Sequence, residues 1–436
     1  MAVEHLVGAY HAWASNGAAN APSWLKTLRE SGISRFSQLG FPNMKQEAWR
    51  FTSVAPIAES AFELAQPARP ASLPSLDALA PFLVDDEASH RLVFVNGFFA
   101  PALSMASADG VRMESLAKAL TEEPELVQRH LCKYAASQND PFCALNTAFL
   151  HEGAFVHVPA RLVVDKPIQL LFIAVPAKDR PIVTHPRNLV VIDREARASV
   201  VETYAALGSD VYWTNAVTEI AVGDGGRVDY HRVQRESTRA YHVATTQTHQ
   251  GRDSTIHLHT VAFGAALSRH DIGTVLAGPG GTLILNGLYL LAGKQHADHH
   301  TTIDHAADHC ESHEYFNGVL DGQSRGVFTG RIIVRPGAQK TDSKQTNNNL
   351  LLSADAHADS QPQLEIYADD VKCTHGSTVG PLDPRALFYL RSRGIDAEQA
   401  RRLLTYGFAA EILGRMEVAP LRARLDHIVR ERLAAV

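Results

Sequence analysis

The residues best suited to chemistry stand at the end of a strand-like run, LEIYADDVKCTHGSTVG, at residues 364–380. Cys373 and His375 are two positions apart there, so on an extended backbone both side chains project to the same face. A thiolate and an imidazole side by side are suitable ligands for iron or zinc. A closed tetrahedral site needs about four ligands, so the pair predicts a transient site or one completed by a second chain. The alternative is a buried cysteine and a hydrogen-bonded histidine that only pack.

A second candidate is the histidine-rich segment KQHADHHTTIDHAADHCESHE at residues 294–314. Imidazole and thiolate side chains in such density are compatible with metal binding. Adjacent residues of a strand face opposite ways, so the spacing does not establish which of these side chains converge. Polar turn residues are the alternative. The segment contains His296, His299, His300, His305, His309, His313 and Cys310.

The composition excludes several classes of function. The chain has 436 residues and a formal net charge of −6, which leaves no basic footprint for nucleic acid. No apolar run approaches the roughly 18 residues that span a bilayer, and we see no secretory signal. The four cysteines form no C-x-x-C pattern, so we expect a reducing cytoplasm. Phosphate-binding loops and the G-x-S-x-G and H-E-x-x-H motifs are absent.

The elements that must position these residues fall into three parts. Residues 1–150 predict a helical region with loops. Residues 151–380 contain short runs rich in Val, Ile, Thr, Phe and Tyr, separated by Gly-containing turns and without helical crossovers. Residues 381–436 return to helical patterns, in which Pro384 suits the start of one helix and Asp396 the N-cap of the next.

The middle part predicts a mainly β protein. A series of strands this long needs a closed or stacked architecture, because one open sheet would be too large. Asn347, Asn348 and Asn349 suit stacked turns whose side-chain amides form ladders, and small residues alternating with aliphatic ones suit a narrow interior. These features favour a parallel β-helix, with a β-sandwich as the alternative. Terminal helices can cover the ends of such a solenoid or hold a partner.

Several segments resemble one known family. They are TTIDHAADHCESHEYFNGVLDGQSRGVFTGRIIV, QKTDSKQTNNNLLLSADAHADSQPQLEIYADDVKCTHGSTVGPLD and LFYLRSRGIDAEQARRLLTYGF, all between residues 301 and 408. They resemble the SufB/SufD family of iron–sulfur cluster assembly scaffold proteins. KQEAWRFT, with Glu47, Trp49 and Thr52, is similar to a short motif near the start of the SufD branch.

The resemblance implies a right-handed parallel β-helix flanked by N-terminal and C-terminal helical regions. It also implies a non-catalytic scaffold subunit that pairs with a SufB-like paralogue and a SufC-like ABC ATPase, with sulfur supplied indirectly by a cysteine desulfurase system. The paralogue joins through the β-helices, and the ATPase docks on region 381–436. Whether the isolated chain also forms a homodimer is not decided by the resemblance. The residues expected to contact the ATPase are Leu387, Phe388, Tyr389, Leu403, Leu404 and Phe408.

The resemblance also implies a functional role for Cys373 and His375. A functional histidine of the family, with a cysteine two residues before it near the paralogue interface, matches His375 and Cys373. These two are expected to hold part of a transient iron–sulfur cluster or iron shared with the partner, without a tightly bound cofactor in the isolated chain. Two further positions that carry a cysteine and an acid in the SufB branch fall at Ala356 and Gly376, so the chain is similar to SufD.

Two other readings stay open at this point. One is a β-helix carbohydrate-active enzyme, for which acids such as Asp355 and Asp359 are candidates and solvated turn residues the alternative. The other is a purely structural partner in which the cysteine and the histidine are not metal ligands.

Overall fold

The computed structural model of this chain describes residues 2–16, 21–84, 90–105, 110–135, 137–176 and 180–434. Its helices are α1 (Ala2–Asn16), α2 (Ser23–Leu39), α3 (Ala55–Ala58), α4 (Leu76–Leu79), α5 (Leu116–Glu122), α6 (Pro124–His130), α7 (Pro141–Ala148), α8 (Pro384–Ser392), α9 (Ala397–Leu413) and α10 (Ala419–Ala434). Its strands are β1 (Glu63–Leu64), β2 (His90–Val95), β3 (Phe98–Phe99), β4 (Arg112–Ser115), β5 (Ala154–Val158), β6 (Ile168–Ala174), β7 (Ile182–Thr184), β8 (Arg187–Ile192), β9 (Arg197–Ala206), β10 (Trp213–Val222), β11 (Arg227–Arg235), β12 (Tyr241–Gln250), β13 (Thr255–Ala262), β14 (Leu267–Leu276), β15 (Thr282–Leu291), β16 (His296–His305), β17 (Glu311–Leu320), β18 (Arg325–Val334), β19 (Asp342–Leu351), β20 (His357–Ile366) and β21 (Lys372–Gly380).

Two long sheets run along the middle of the molecule. The first sheet has 11 strands and contains β8, β10, β12, β14, β16, β18 and β20 in spatial order; the second has 10 and contains β6, β9, β11, β13, β15, β17, β19 and β21. From β8 onward, successive strands therefore alternate between the sheets. Their ladders are parallel. This stacking of coils confirms the β-helix with helical terminal regions, in place of the β-sandwich.

The turns between strands explain why no strict sequence repeat is visible. Trp213 lies opposite Tyr241 one coil later, 28 residues along the chain. Arg325 lies opposite His357, a separation of 32 residues. The strands keep their register while the turns change length. Tight turns use glycine where the backbone is left-handed, as at Gly225, where φ is +65°.

The sequence placed Asn347, Asn348 and Asn349 on stacked turns, but they lie on the strand β19, where side-chain amides do connect neighbouring coils. Within β19 itself, the Asn349 Nδ2 atom donates to Asn347 Oδ1 at 2.8 Å. On the outer face, Asn348 Nδ2 donates to Asn317 Oδ1 on the preceding coil at 3.5 Å. Thr378 on the following coil donates its hydroxyl to Asn348 Oδ1 at 2.7 Å. Side-chain bonds therefore reinforce the backbone ladder where the solenoid nears its end.

The N-terminal region packs on the outer face of the first sheet. Phe142 of α7 lies in one apolar cluster with Trp213 and Val243 of that sheet. In the segment KQEAWRFT, the Trp49 ring lies under the Arg269 guanidinium, whose central carbon is 3.8 Å from the ring centroid. The segment KQEAWRFT therefore packs against the outer face of the solenoid. The domain divisions at residues 150 and 380 stay predictions. Two strands of the first 150 residues belong to the solenoid sheets: β4 to the first sheet and β2 to the second.

The C-terminal helices cover the flank of the second sheet. Ile412 of α9 and Leu425 of α10 share an apolar cluster with Val261 and Leu288 of that sheet. Within the described parts of the chain, β20 pairs only with β18, and β21 pairs only with β19. Seven of the nine residues of β21 are exposed, so the helices do not cover the C-terminal end of the solenoid, formed by β20 and β21 and called here the open end.

Candidate functional site

Cys373 and His375 lie on β21, the last strand of the second sheet. Their register neighbours on β19 are Ser343 and Gln345, both of which are buried inside the solenoid. Register neighbours of a parallel ladder point to the same face, so the cysteine and the histidine are directed toward the interior at the open end. Cys373 is half-buried against the interior cluster, whereas His375 is exposed because no further coil follows it.

A row of interior side chains leads to His375. Glu314, Gln345 and His375 occupy successive strands of the second sheet in register. The Gln345 Nε2 atom donates to Glu314 Oε2 at 2.6 Å, and burial raises the pKa of Glu314 to about 7. The Oε1 atom of Gln345 has no hydrogen-bond partner among the described residues. A polar row inside the solenoid therefore ends at the exposed imidazole.

Sequence reasoning missed Glu314 and Gln345. The available signal was that Glu314 stands two residues before the apolar Phe316, so strand alternation places both side chains on one face. The coil length of about 30 residues was not known from the sequence. The pairing of these side chains therefore lay beyond sequence reasoning.

The open end offers two ligands and no closed site. Within the described residues, neither Cys373 nor His375 belongs to a group of three or more His, Cys, Asp or Glu side chains that could hold a metal ion. Ser377 bridges the two terminal strands by donating its hydroxyl to Ser360 at 2.8 Å. A tetrahedral centre needs about two further ligands, so this chain alone leaves the coordination shell half complete.

The two positions that distinguish the SufB branch carry no ligand here. Ala356 is buried in the interior cluster just before β20. Gly376 follows His375 and faces the outside of the solenoid, where a Cβ atom would meet nothing within 4 Å. Neither residue adds a donor atom to the open end.

The histidine-rich segment does not converge. His299 is buried and stacks on Tyr289, with ring centroids 5.0 Å apart. His300 faces the outside, where its Nε2 atom lies 3.1 Å from Asp298 Oδ1. His309 stands on an exposed turn. Side chains of this segment are thus divided between both faces of β16 and the turn that follows it.

The residues predicted to contact an ATPase divide into three environments. Phe388 and Leu403 are strongly exposed, at 73% and 45%, as is Tyr389. Leu387 and Leu404 are half-buried. Phe408 packs against the apolar cluster of the solenoid flank instead of facing outward. The outward apolar surface therefore centres on α8 and the first half of α9.

Comparisons with known proteins address the whole chain. A family model described as "SUF system FeS cluster assembly, SufBD core domain" matches residues 174–408. A model of the SufBD protein N-terminal region matches residues 4–170. Within the described residues, none of the helices combines the length and apolar character that a bilayer crossing requires.

Relatives match nearly from end to end. The iron–sulfur cluster assembly protein SufD of Escherichia coli is 30% identical over 97% of this chain and 96% of its own length. An iron–sulfur cluster assembly SufBD family protein of Synechocystis is 34% identical over 93% of this chain and 91% of its own. SufD of Bacillus subtilis is 28% identical over 94% of both chains.

Proposed function

Because the chain belongs to the SufBD family of iron–sulfur cluster assembly proteins, we propose that it is a non-catalytic scaffold subunit of a cytoplasmic assembly complex. Its partners are a SufB-like paralogue and a SufC-like ABC ATPase, and a cysteine desulfurase system supplies sulfur indirectly. The observation that carries the proposal is the Cys373–His375 pair on the unpaired edge of the last strand. One chain leaves that pair short of ligands.

The paralogue docks on the open end. Exposed backbone groups of β20 and β21 offer two strand edges for pairing. Large apolar side chains, Ile366 at the end of β20, Tyr367 after it and Val379 on β21, are exposed beside those edges. The paralogue then supplies the remaining ligands, and the iron, sulfide or nascent cluster held there is cargo.

The ATPase docks on the exposed apolar surface of α8 and α9. Phe388 and Tyr389 are the most exposed large apolar residues on it. ATP-driven closure of the ATPase would displace these helices, and Ile412 transmits the displacement to the flank of the second sheet. Such coupling requires ATP to favour one arrangement of the complex over another.

A purely structural role for the cysteine and the histidine is the competing function. Its support is that Cys373 packs against the interior cluster and that burial raises the pKa of its thiol. Iron binding separates the two functions when the reconstituted complex is compared with one carrying Cys373→Ser and His375→Ala. No observation supports carbohydrate chemistry.

The proposal predicts that His375→Ala impairs cluster formation on the reconstituted complex and leaves complex assembly intact. The imidazole is exposed and its loss leaves no buried cavity, so the fold should tolerate the change. Co-purification with the paralogue and ATPase measures assembly, and anaerobic reconstitution followed by absorption spectroscopy measures cluster yield.

The control is His357→Ala. His357 is an exposed histidine of the other terminal strand, and its register places it on the outer face of the solenoid. Its variant should match the wild type in both measurements. A normal cluster yield from His375→Ala would remove the histidine from the site.

A further inference from the structure

A cluster of charged side chains lies where the connection between α9 and α10 crosses the outer face of the second sheet. Asp229 on β11 and His257 on β13 are register neighbours, and His257 Nδ1 is 3.0 Å from Asp229 Oδ1. Glu417, from the connection, places its Oε1 atom 3.5 Å from the same nitrogen. Ligand atoms from two strands and the connection thus lie within 4.8 Å of one another.

The spacing of these three atoms suits a divalent metal ion. Bonds of about 2.0–2.2 Å place neighbouring ligands of a tetrahedral zinc ion about 3.3–3.5 Å apart. The separations of 3.0 and 3.5 Å are close to that spacing. One imidazole and two carboxylates suit Zn²⁺, Fe²⁺ or Mn²⁺ and provide no soft sulfur ligand. Glu417 is 53% exposed, so ions reach the cluster from solvent.

A guanidinium already stands beside the two carboxylates. Arg227 Nη2 lies 3.2 Å from Asp229 Oδ1 and 2.7 Å from Glu417 Oε2. The Arg227 side chain is 32% exposed, and its long stem lets the charged head move into water. Its departure would leave two negative charges beside one imidazole, which a divalent cation neutralises. Guanidinium and metal ion therefore compete for the same carboxylates.

Two buried histidines with unpaired ring nitrogens lie on the same outer face as the cluster. His231, two residues after Asp229 on the same face of β11, is fully buried, and neither of its ring nitrogens has a partner among the described residues. Its ring stacks on His259 at a centroid distance of 4.9 Å, and the His259 Nε2 atom is also unpaired. Buried polar atoms normally find partners, so these imidazoles leave unused hydrogen-bonding capacity on the face where the cluster lies.

We propose that Asp229, His257 and Glu417 bind a divalent metal ion of the Zn²⁺, Fe²⁺ and Mn²⁺ class. The ion joins the α9–α10 connection to β11 and β13 and is separate from the pair at the open end. Ile412 and Leu425 make the apolar contacts on either side of that connection. Metal binding therefore strengthens the attachment of the C-terminal helices to the solenoid.

Zinc titration of the full-length chain tests the site. Cys373→Ser and His375→Ala are present in every sample, so the open end contributes no signal, and calorimetry should detect one Zn²⁺ per chain. Asp229→Asn and Glu417→Gln should each weaken Zn²⁺ binding by about tenfold or more. Arg227→Ala should tighten it severalfold, because the competing cation is gone.

His313→Gln is the matched control. His313 lies in the same register row as His257, two strands further along the outer face. Its loss should leave the zinc affinity unchanged. Absence of stoichiometric binding, equal affinities in all variants, or weaker binding by Arg227→Ala would each overturn the proposal. Retained helical circular dichroism confirms that the variants are folded.

Discussion

The thiol of Cys373 is not a ready nucleophile or ligand in this chain alone. Burial raises its pKa above the ordinary value, and the Asp342 carboxylate on the neighbouring strand adds to that shift. A thiolate is the form that binds metal, so binding must displace a proton. A positively charged ion or partner group at the open end provides the driving force. We therefore expect weak iron binding by the isolated chain and stronger binding by the complex.

Glu314 provides a stability prediction at the residue scale. Its pKa in the folded chain is about 7, against an ordinary value of 4.5, because the carboxyl group is buried. The folded state therefore holds this proton more tightly than the unfolded state, and its stability falls as pH rises from 4.5 through 7. Once the pH is above 7, the folded state has lost on the order of 3 kcal/mol of unfolding free energy relative to a pH below 4.5.

Glu314→Gln should therefore be more stable than the wild type at pH 8.5, and the difference should be much smaller at pH 5. The new carboxamide oxygen still accepts the Gln345 amide hydrogen bond. Urea unfolding midpoints at the two pH values measure the effect. Glu311→Gln is the control, because Glu311 is an exposed carboxylate at the start of the same strand. Equal pH dependence of Glu314→Gln and wild type would contradict the buried-acid explanation.

At the scale of elements, local chemistry made much of the fold predictable. Asp396 caps α9 by accepting a hydrogen bond from the Gln399 backbone N–H at 2.9 Å, as the capping pattern predicted. Pro384 begins α8, and Gly40 ends α2 in a left-handed conformation. These features need only neighbours within a few residues, so one sequence suffices to identify them.

Features that depend on distant neighbours were not predictable. On α9, the apolar Leu403 is exposed whereas the polar Thr405 is buried. Helical periodicity leaves the stripe's centre uncertain by about one residue, and contacts with the solenoid flank decide it. Cys373 and His375 were correctly expected to share a face, since that follows from strand alternation alone.

The edge of β21 provides an element-scale prediction. The Lys372 N–H bonds to Thr341 of the preceding coil at 2.8 Å, so alternation directs the Val379 N–H to the free edge. Val379→Pro removes that outward donor and should abolish pairing with the paralogue. Thermal stability should change little, because proline is tolerated on an edge strand. Co-purification and a melting curve measure the two effects.

Val379→Ala separates the backbone from the side chain. It keeps the N–H group and removes the exposed apolar atoms, so the paralogue should still co-purify. If Val379→Pro also co-purifies normally, strand pairing at this edge is not how the partner docks.

At the scale of the whole molecule, stability should be graded along the solenoid. Coils of a solenoid contact only their neighbours, so the last coil has half the contacts of an inner one. Amide hydrogen exchange should be fastest in β20 and β21 and slowest in inner strands such as β12 and β14. Adding the paralogue should protect β20 and β21 selectively. Uniform protection across all the coils of the free chain would contradict this gradient.

The open end of the solenoid restricts which partner chains can bind there productively. Both terminal strands belong to one coil, so a mate that pairs with each must align itself with two ladders at once. Side chains alternate strictly along a strand, and a slip of one residue would turn every ligand of the newcomer to the opposite face. Strand register therefore selects the partner: a chain that pairs out of register could attach, but its ligands would not meet Cys373 and His375.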